Sequence, residues 1–270
     1  MLGHAAIQSV LQLLLPPNTG IALAPSLTVH TENNHREAGF KKRQREFFVG
    51  RKCAVEAVHQ VGWRGSGEDS DLKLETETLT LNDLVAIVGV GQDRCPVWPS
   101  GYVGSISHSQ NWTLAVAASS THLRGIGVDT EVCLAPDAHE IVRPEVGTEL
   151  EWRLLDECVA EPAWATTLLF SAKEAYFKLW YPVTRQFLNF EDVQLVQIRP
   201  GRDLNPSLAV DKLCLLDLHS KRSWADPNAR EDQVALTAVR VLLVDQDIFS
   251  FAWIPPQRLG NHECVVQAET

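Results

Sequence analysis

Apolar positions along this chain follow two rhythms. Residues Tyr102–Ser107 and Thr113–Ala118 alternate apolar and polar side chains, as strands do when one face is buried. Arg36–Gln60, Thr148–Ala160 and Pro162–Tyr181 read instead as helices, and Asp192–Ile198, Ala235–Asp245 and Phe249–Ile254 as further strands. The opening MLGHAAIQSVLQLLLPP is apolar but interrupted by glutamines and too short to span a bilayer. It also lacks a basic n-region and a small-residue cleavage pattern, so it predicts a core element rather than a leader. Gly, Ser and acids crowd Trp63–Asp71, which predicts a loop. Strands and helices in this order predict an α+β chain.

Two of these segments concentrate chemistry. GIGVDTE, Gly125–Glu131, is a short apolar run ending in two carboxylates. In a strand, Asp129 and Glu131 project from one face because side chains alternate with period two. FSAKEAYFKLW, Phe170–Trp180, lies within the helical stretch that Pro162 opens and Pro182 is placed to stop. Glu174 and Lys178 are four apart and share a helix face. Three carboxylates from a strand and a helix make a hard oxygen site of the kind magnesium takes, and lysine ammoniums beside it would hold phosphate charge. Each feature also has a plainer reading. Ser171-x-x-Glu174 fits a capping box, Glu174 and Lys178 fit a surface pair, and Asp129 fits a turn after its strand. Ser171 is poorly placed as a cap if the helix begins near Pro162.

GIGVDTE and FSAKEAYFK, in this order and at this spacing, resemble two signature motifs of the 4′-phosphopantetheinyl transferases, roughly G-[ILV]-D-x-E and [WF]-[ST]-x-K-E-[SA]-x-x-K. KKRQREFFVGRKCA, Lys41–Ala54, resembles the family's R-x-x-E-F-x-x-G-R helix, and WPSGYVGSISHS, Trp98–Ser109, resembles its P-x-G-x-x-G-S-x-[ST]-H segment. The style is closest to the branch typified by enterobactin synthetase component D, within the surfactin-type group. The resemblance covers about Glu37 to Pro182. Most of Gln197–Gln233 matches no motif, and Val61–Val90 is longer than the family usually has there, which reads as an insertion. Thr130 stands where a branched aliphatic residue is more usual, and it should point away from Asp129 and Glu131.

The resemblance implies two similar α/β halves packed as an intramolecular pseudo-dimer. Residues 1–124 would meet coenzyme A and the carrier, and residues 125–270 would hold magnesium and pyrophosphate. The implied reaction moves the 4′-phosphopantetheine arm of coenzyme A to a serine of an apo acyl, peptidyl or aryl carrier protein, releasing adenosine 3′,5′-bisphosphate. It would serve siderophore, nonribosomal peptide or polyketide synthesis. Asp129, Glu131 and Glu174 would bind magnesium, with Glu174 also the candidate acceptor of the serine proton. Lys173 and Lys178 would contact the pyrophosphate, and Lys178 would stabilise charge on the leaving bisphosphate. Arg45 and Arg51 would meet the 3′-phosphate or adenine side of coenzyme A, and Ser107 and His108 would touch its phosphates. Two other functions use the same residues. A magnesium-dependent phosphohydrolase of coenzyme A or a nucleotide would use water in place of serine, and a non-catalytic carrier-binding module should have lost an acid or a lysine, yet each is present.

Charge narrows the partners. A net charge of −10 argues against nucleic acid, which requires concentrated positive potential. Lys41, Lys42, Arg43, Arg45, Arg51 and Lys52 nevertheless crowd one helical stretch against Glu46, and the resemblance assigns part of that face to coenzyme A phosphates and part to an acidic carrier. The six cysteines are scattered without C-x-x-C spacing, which predicts free thiols in a reducing cytoplasm. No Gly-rich phosphate loop is present. Halves that pack within one chain predict a monomer.

Overall fold

Two antiparallel sheets, each carrying one long helix, build the molecule. The computed structural model describes residues 3–26, 35–64, 78–200, 213–221 and 237–255. The first half runs α1 (His4–Leu14), β1 (Thr19–Pro25), α2 (His35–Gln60), α3 (Leu81–Ile87), β2 (Gly89–Val90), β3 (Pro96–Val97), β4 (Tyr102–His108) and β5 (Trp112–Ser119). The second runs β6 (Gly125–Val132), α4 (Pro136–Val146), α5 (Glu149–Asp156), α6 (Pro162–Thr184), β7 (Val193–Pro200), β8 (Leu213–Ser220), β9 (Thr237–Val244) and β10 (Asp247–Ile254). Strand order is β1-β5-β4 in one large sheet and β6-β10-β9-β8-β7 in the second, and β2 and β3 pair in a small two-stranded sheet.

The halves repeat one plan. An opening strand leads to a long helix, and the last strand of the half pairs antiparallel beside the opening one: β1 with β5, and β6 with β10. Helix α2 lies over β1, β5 and β4, as α6 lies over β6 and β10. A glycine admits the helix backbone each time. A Cβ on Gly20 of β1 would stand 2.0 Å from the Ala57 carbonyl oxygen, and one on Gly127 of β6 would stand 2.0 Å from that of Ala175. The expected α+β pseudo-dimer is thus present, with β7 and β8 widening the second sheet.

Local chemistry sets the ends of several elements. Thr80 and Asp83 form a capping box at α3, and Thr148 and Glu151 form one at α5. Pro162 sits in the first turn of α6, where its missing N–H costs nothing. Pro182 does not stop that helix, which continues to Thr184 and ends at the left-handed Arg185, φ 59°. Part of the expected insertion is structured: residues 78–90 contain α3 and β2, whereas 65–77 lie outside the described residues. The N-terminal core element is a helix whose Ile7, Leu11 and Leu14 close a core between the halves with Leu114, Phe249 and Phe251. Burying each of those large side chains contributes roughly 1.5–3 kcal/mol. A second core, around Tyr176, Leu179 and Trp180, fixes α6 on its sheet.

Candidate active site

The halves meet where β4 runs beside β6, and serine hydroxyls make the junction. Ser105 Oγ accepts from the Val128 amide at 3.1 Å, and Ser107 Oγ accepts from the Thr130 amide at 3.3 Å. Ser107 then donates to Asp129 Oδ1 at 2.9 Å. Lys178 reaches in from α6 and donates to both, at 2.6 Å to Asp129 Oδ1 and 2.9 Å to Ser107 Oγ. β4, β6 and α6 therefore converge on one carboxylate that is only 2% exposed.

That carboxylate is half satisfied. Asp129 Oδ2 is buried and has no hydrogen-bond partner. Burial pushes the Glu131 carboxyl up to about 7; Asp129 and Glu174 add to the rise and Lys178 opposes it. Burial, reinforced by Asp129 and opposed by Lys178, also raises Glu174 above the usual carboxylate range. Three acids thus share the field of one ammonium. An orphaned oxygen and crowded carboxylates are the donor set a hard divalent cation would relieve. Among the described residues no three acidic, histidine or cysteine side chains close around an ion position, and Lys178 occupies Asp129 Oδ1.

The plainer readings of these motifs do not hold. Ser171 lies inside α6 and hydrogen-bonds Ser250 Oγ at 2.9 Å, so it caps nothing. Lys178 turns to Asp129 rather than serving as a surface partner of Glu174. Asp129 sits within β6, and Thr130 on the other face is fully buried, as expected.

Two residues expected to contact ligand are engaged within the protein in this structure. Lys173 is 2% exposed, and its three ammonium hydrogens are taken by Glu151 Oε1 at 2.7 Å and by the carbonyls of Val146 at 2.9 Å and Phe190 at 3.0 Å. Burial lowers its pKa against the pull of Glu151. With no donor left for a pyrophosphate, Lys173 braces α6 against α4, α5 and the turn at Phe190–Asp192. Ser107 is likewise spent on the seam, accepting twice and donating once, so it has no hydrogen left for a ligand.

The remaining candidates lie on the first half. His108 at the end of β4 and Arg45 on α2 are exposed, and Arg45 borders a shallow groove of about 220 Å³ with Lys41 and Phe48. Arg51 is only 5% exposed; its Nη2 donates to the Gly89 carbonyl at 3.1 Å, its guanidinium lies over Phe47, and its Nε is buried without a partner. A cleft of about 680 Å³ opens beside Glu174, walled by Phe177, Phe187, Leu188 and Phe190. Glu151 in its wall was not singled out by sequence reasoning, although T-x-x-E at Thr148–Glu151 is a capping-box signature. Its Oε2 accepts from the Thr148 amide and hydroxyl, and its Oε1 accepts from the Leu195 amide at 2.8 Å as well as from Lys173.

A strand-helix-strand-strand plan used twice, with three carboxylates and one lysine gathered at the seam, defines a two-half α+β protein. Residues 32–118 match the 4′-phosphopantetheinyl transferase N-terminal domain, and residues 125–238 match the 4′-phosphopantetheinyl transferase superfamily. The chain belongs to that superfamily. It is 28% identical over 170 residues to 4′-phosphopantetheinyl transferase Npt of Nocardia iowensis, covering 63% of this chain and 66% of Npt. It is 32% identical over 143 residues to enterobactin synthase component D of Salmonella typhi, covering 53% of this chain and 50% of that protein. It is 30% identical over 159 residues to 4′-phosphopantetheinyl transferase PptT of Mycobacterium tuberculosis, covering 57% and 58%. The chain thus spans between half and two thirds of the length of these relatives. No helix among the described residues is long and apolar enough to cross a membrane. Cys53, Cys95, Cys133, Cys158 and Cys214 are free thiols, and Cys264 lies outside the described residues.

Proposed function

We propose that this chain transfers the 4′-phosphopantetheine arm of coenzyme A to a serine of an apo carrier protein, releasing adenosine 3′,5′-bisphosphate, in siderophore, nonribosomal peptide or polyketide synthesis. The observation that carries this reading is the seam site: the unpartnered Asp129 Oδ2, with Glu131 and Glu174 beside it and Lys178 as the ammonium between the halves. Asp129, Glu131 and Glu174 are the residues that would hold magnesium, which when bound neutralises pyrophosphate charge and polarises the attacked phosphorus.

Glu174 takes the proton of the incoming serine hydroxyl, a role helped by its raised pKa. The serine oxygen bonds to the β-phosphorus, the bond from that phosphorus to the bridging oxygen breaks, and the electron pair leaves with the bisphosphate. Lys178 stabilises the charge that develops there. Arg45 and His108, both exposed, meet the coenzyme A phosphates, with Arg51 supporting that wall from beneath. The cleft beside Glu174 has the volume and the aromatic lining to take an extended arm. Residues 1–124 serve coenzyme A and the carrier, and residues 125–270 serve the metal and pyrophosphate. The enzyme works as a monomer in the reducing cytoplasm, where its thiols stay free.

Intact-protein mass spectrometry of an apo carrier incubated with this protein, magnesium and coenzyme A tests the reading. A gain of one phosphopantetheine unit that EDTA abolishes is expected. Release of free 4′-phosphopantetheine without carrier modification would assign a phosphohydrolase instead.

A further inference from the structure

Asp247 opens β10 and is 8% exposed. Its backbone pairs with Val132, and the neighbouring Ile248, opposite Glu131, packs into the α6 core, so Asp247 faces away from the acids. It faces the first half. Asp247 Oδ1 accepts from Asn111 Nδ2 at 3.0 Å, and Oδ2 accepts from the Trp112 indole at 2.9 Å. Both donors lie at the tip of the β4–β5 hairpin, one strand end away from His108.

The other polar bonds of that tip stay within its own half, while Ser107 ties the end of β4 to Asp129 and Trp112 packs against the core the halves share. Ser109 donates its amide to the Trp112 carbonyl at 2.7 Å, and Ser26 donates its amide to the Asn111 carbonyl at 2.7 Å and its hydroxyl to the Ser109 carbonyl at 3.0 Å. These bonds shape the turn but say nothing about where it sits relative to Asp129 and Glu131. Asp247 adds a second anchor to the one Ser107 makes with Asp129, because one carboxylate of the second half holds two donors at the β5 end of the turn, beyond His108. Hydrogen bonds to a buried charge are the strong, geometrically demanding kind.

We infer that Asp247 is a positioning residue that locks the β4–β5 hairpin, and with it His108, in register with the half that carries the acids. The inference rests on the reading of His108 as a coenzyme A contact. An asparagine at 247 keeps the shape but presents one acceptor and one donor to two donors, so at least one bond is lost.

The test compares Asp247→Asn with Arg240→Met, which removes a different tie between the halves, from Arg240 Nη1 to the Leu14 carbonyl at 2.7 Å. Asp247→Asn is expected to shift the His108 imidazole resonances and to raise KM for coenzyme A roughly fivefold or more, with kcat changed by less than about twofold. Arg240→Met is expected to lower the thermal midpoint while leaving both readouts in place. In the His108→Ala background, Asp247→Asn should add little to KM. Unmoved His108 resonances in Asp247→Asn, equal shifts in Arg240→Met, or additive KM effects would overturn the inference. A wild-type protein that transfers nothing overturns the proposed function instead, and the resonances still decide the role of Asp247.

Discussion

Replacing Lys173 with methionine separates two roles that the motif alone leaves merged. Methionine matches the stem of lysine but removes the ammonium from a site where it and Glu151 are each 2% exposed and 2.7 Å apart. The carboxylate left behind keeps only the amides of Thr148 and Leu195 and the Thr148 hydroxyl, and the Val146 and Phe190 carbonyls lose their shared donor. Removing one partner of a buried pair costs about 3–5 kcal/mol, against a total stability of roughly 5–15 kcal/mol for a domain. With a urea m-value near 2 kcal/mol/M, the unfolding midpoint should fall by roughly 2 M. Lys173→Met combined with Glu151→Met removes both charges, so its loss should be smaller than the sum of the single losses, with coupling of about 1–3 kcal/mol. Urea unfolding of the four proteins measures this directly. A midpoint shift below about 0.5 M for Lys173→Met together with lost transfer would refute the brace and restore Lys173 as a phosphate ligand.

Other expectations follow from the same geometry. Gly127→Ala puts a methyl group 2.0 Å from the Ala175 carbonyl oxygen and 2.5 Å from the Leu179 amide nitrogen, so α6 must lift from β6; circular dichroism melting should show a large loss of stability, and a wild-type melt would contradict the packing. Asp129→Ala and Glu174→Gln should abolish carrier modification, Asp129→Ala with some loss of stability because Ser107 and Lys178 lose their shared acceptor, and full activity in either variant sinks the proposed metal site. Without metal, the Glu131 carboxyl at about 7 holds its proton more tightly than in the unfolded chain. That stability is present below the ordinary carboxylate range and is lost as pH rises through about 7, so the urea midpoint should be higher at pH 5.5 than at pH 8, and Glu131→Gln should remove the difference.

Much of this arrangement could be read from residue order. The strand ending in Asp129 and Glu131, the motif helix and the β4–β5 hairpin emerged close to their observed bounds because each carries a strong period or a clear stop. Other elements were hidden for identifiable reasons. LCLLDLHS of β8 is buried on both faces, which erases the alternation that marks a strand. α4 contains Pro144, which reads as a breaker. Lys173 and Lys178 stand five apart on α6, about 140° around the helix, and their ammoniums turn to different carboxylates, Glu151 and Asp129, which residue order alone does not reveal. Asp247 carried no local signal at all, since its partners Asn111 and Trp112 are far away in the chain.

The seam between β4 and β6 is bridged by side-chain hydroxyls, while the chain itself joins the two halves through the short connection 120–124 between β5 and β6. A tether that short holds the two surfaces at an effective concentration in the millimolar range. Together with the apolar core between the halves, side-chain bonds too weak to join two separate molecules keep Lys178, Asp129 and Ser107 assembled, and the fraction of molecules with a complete site should not change on dilution.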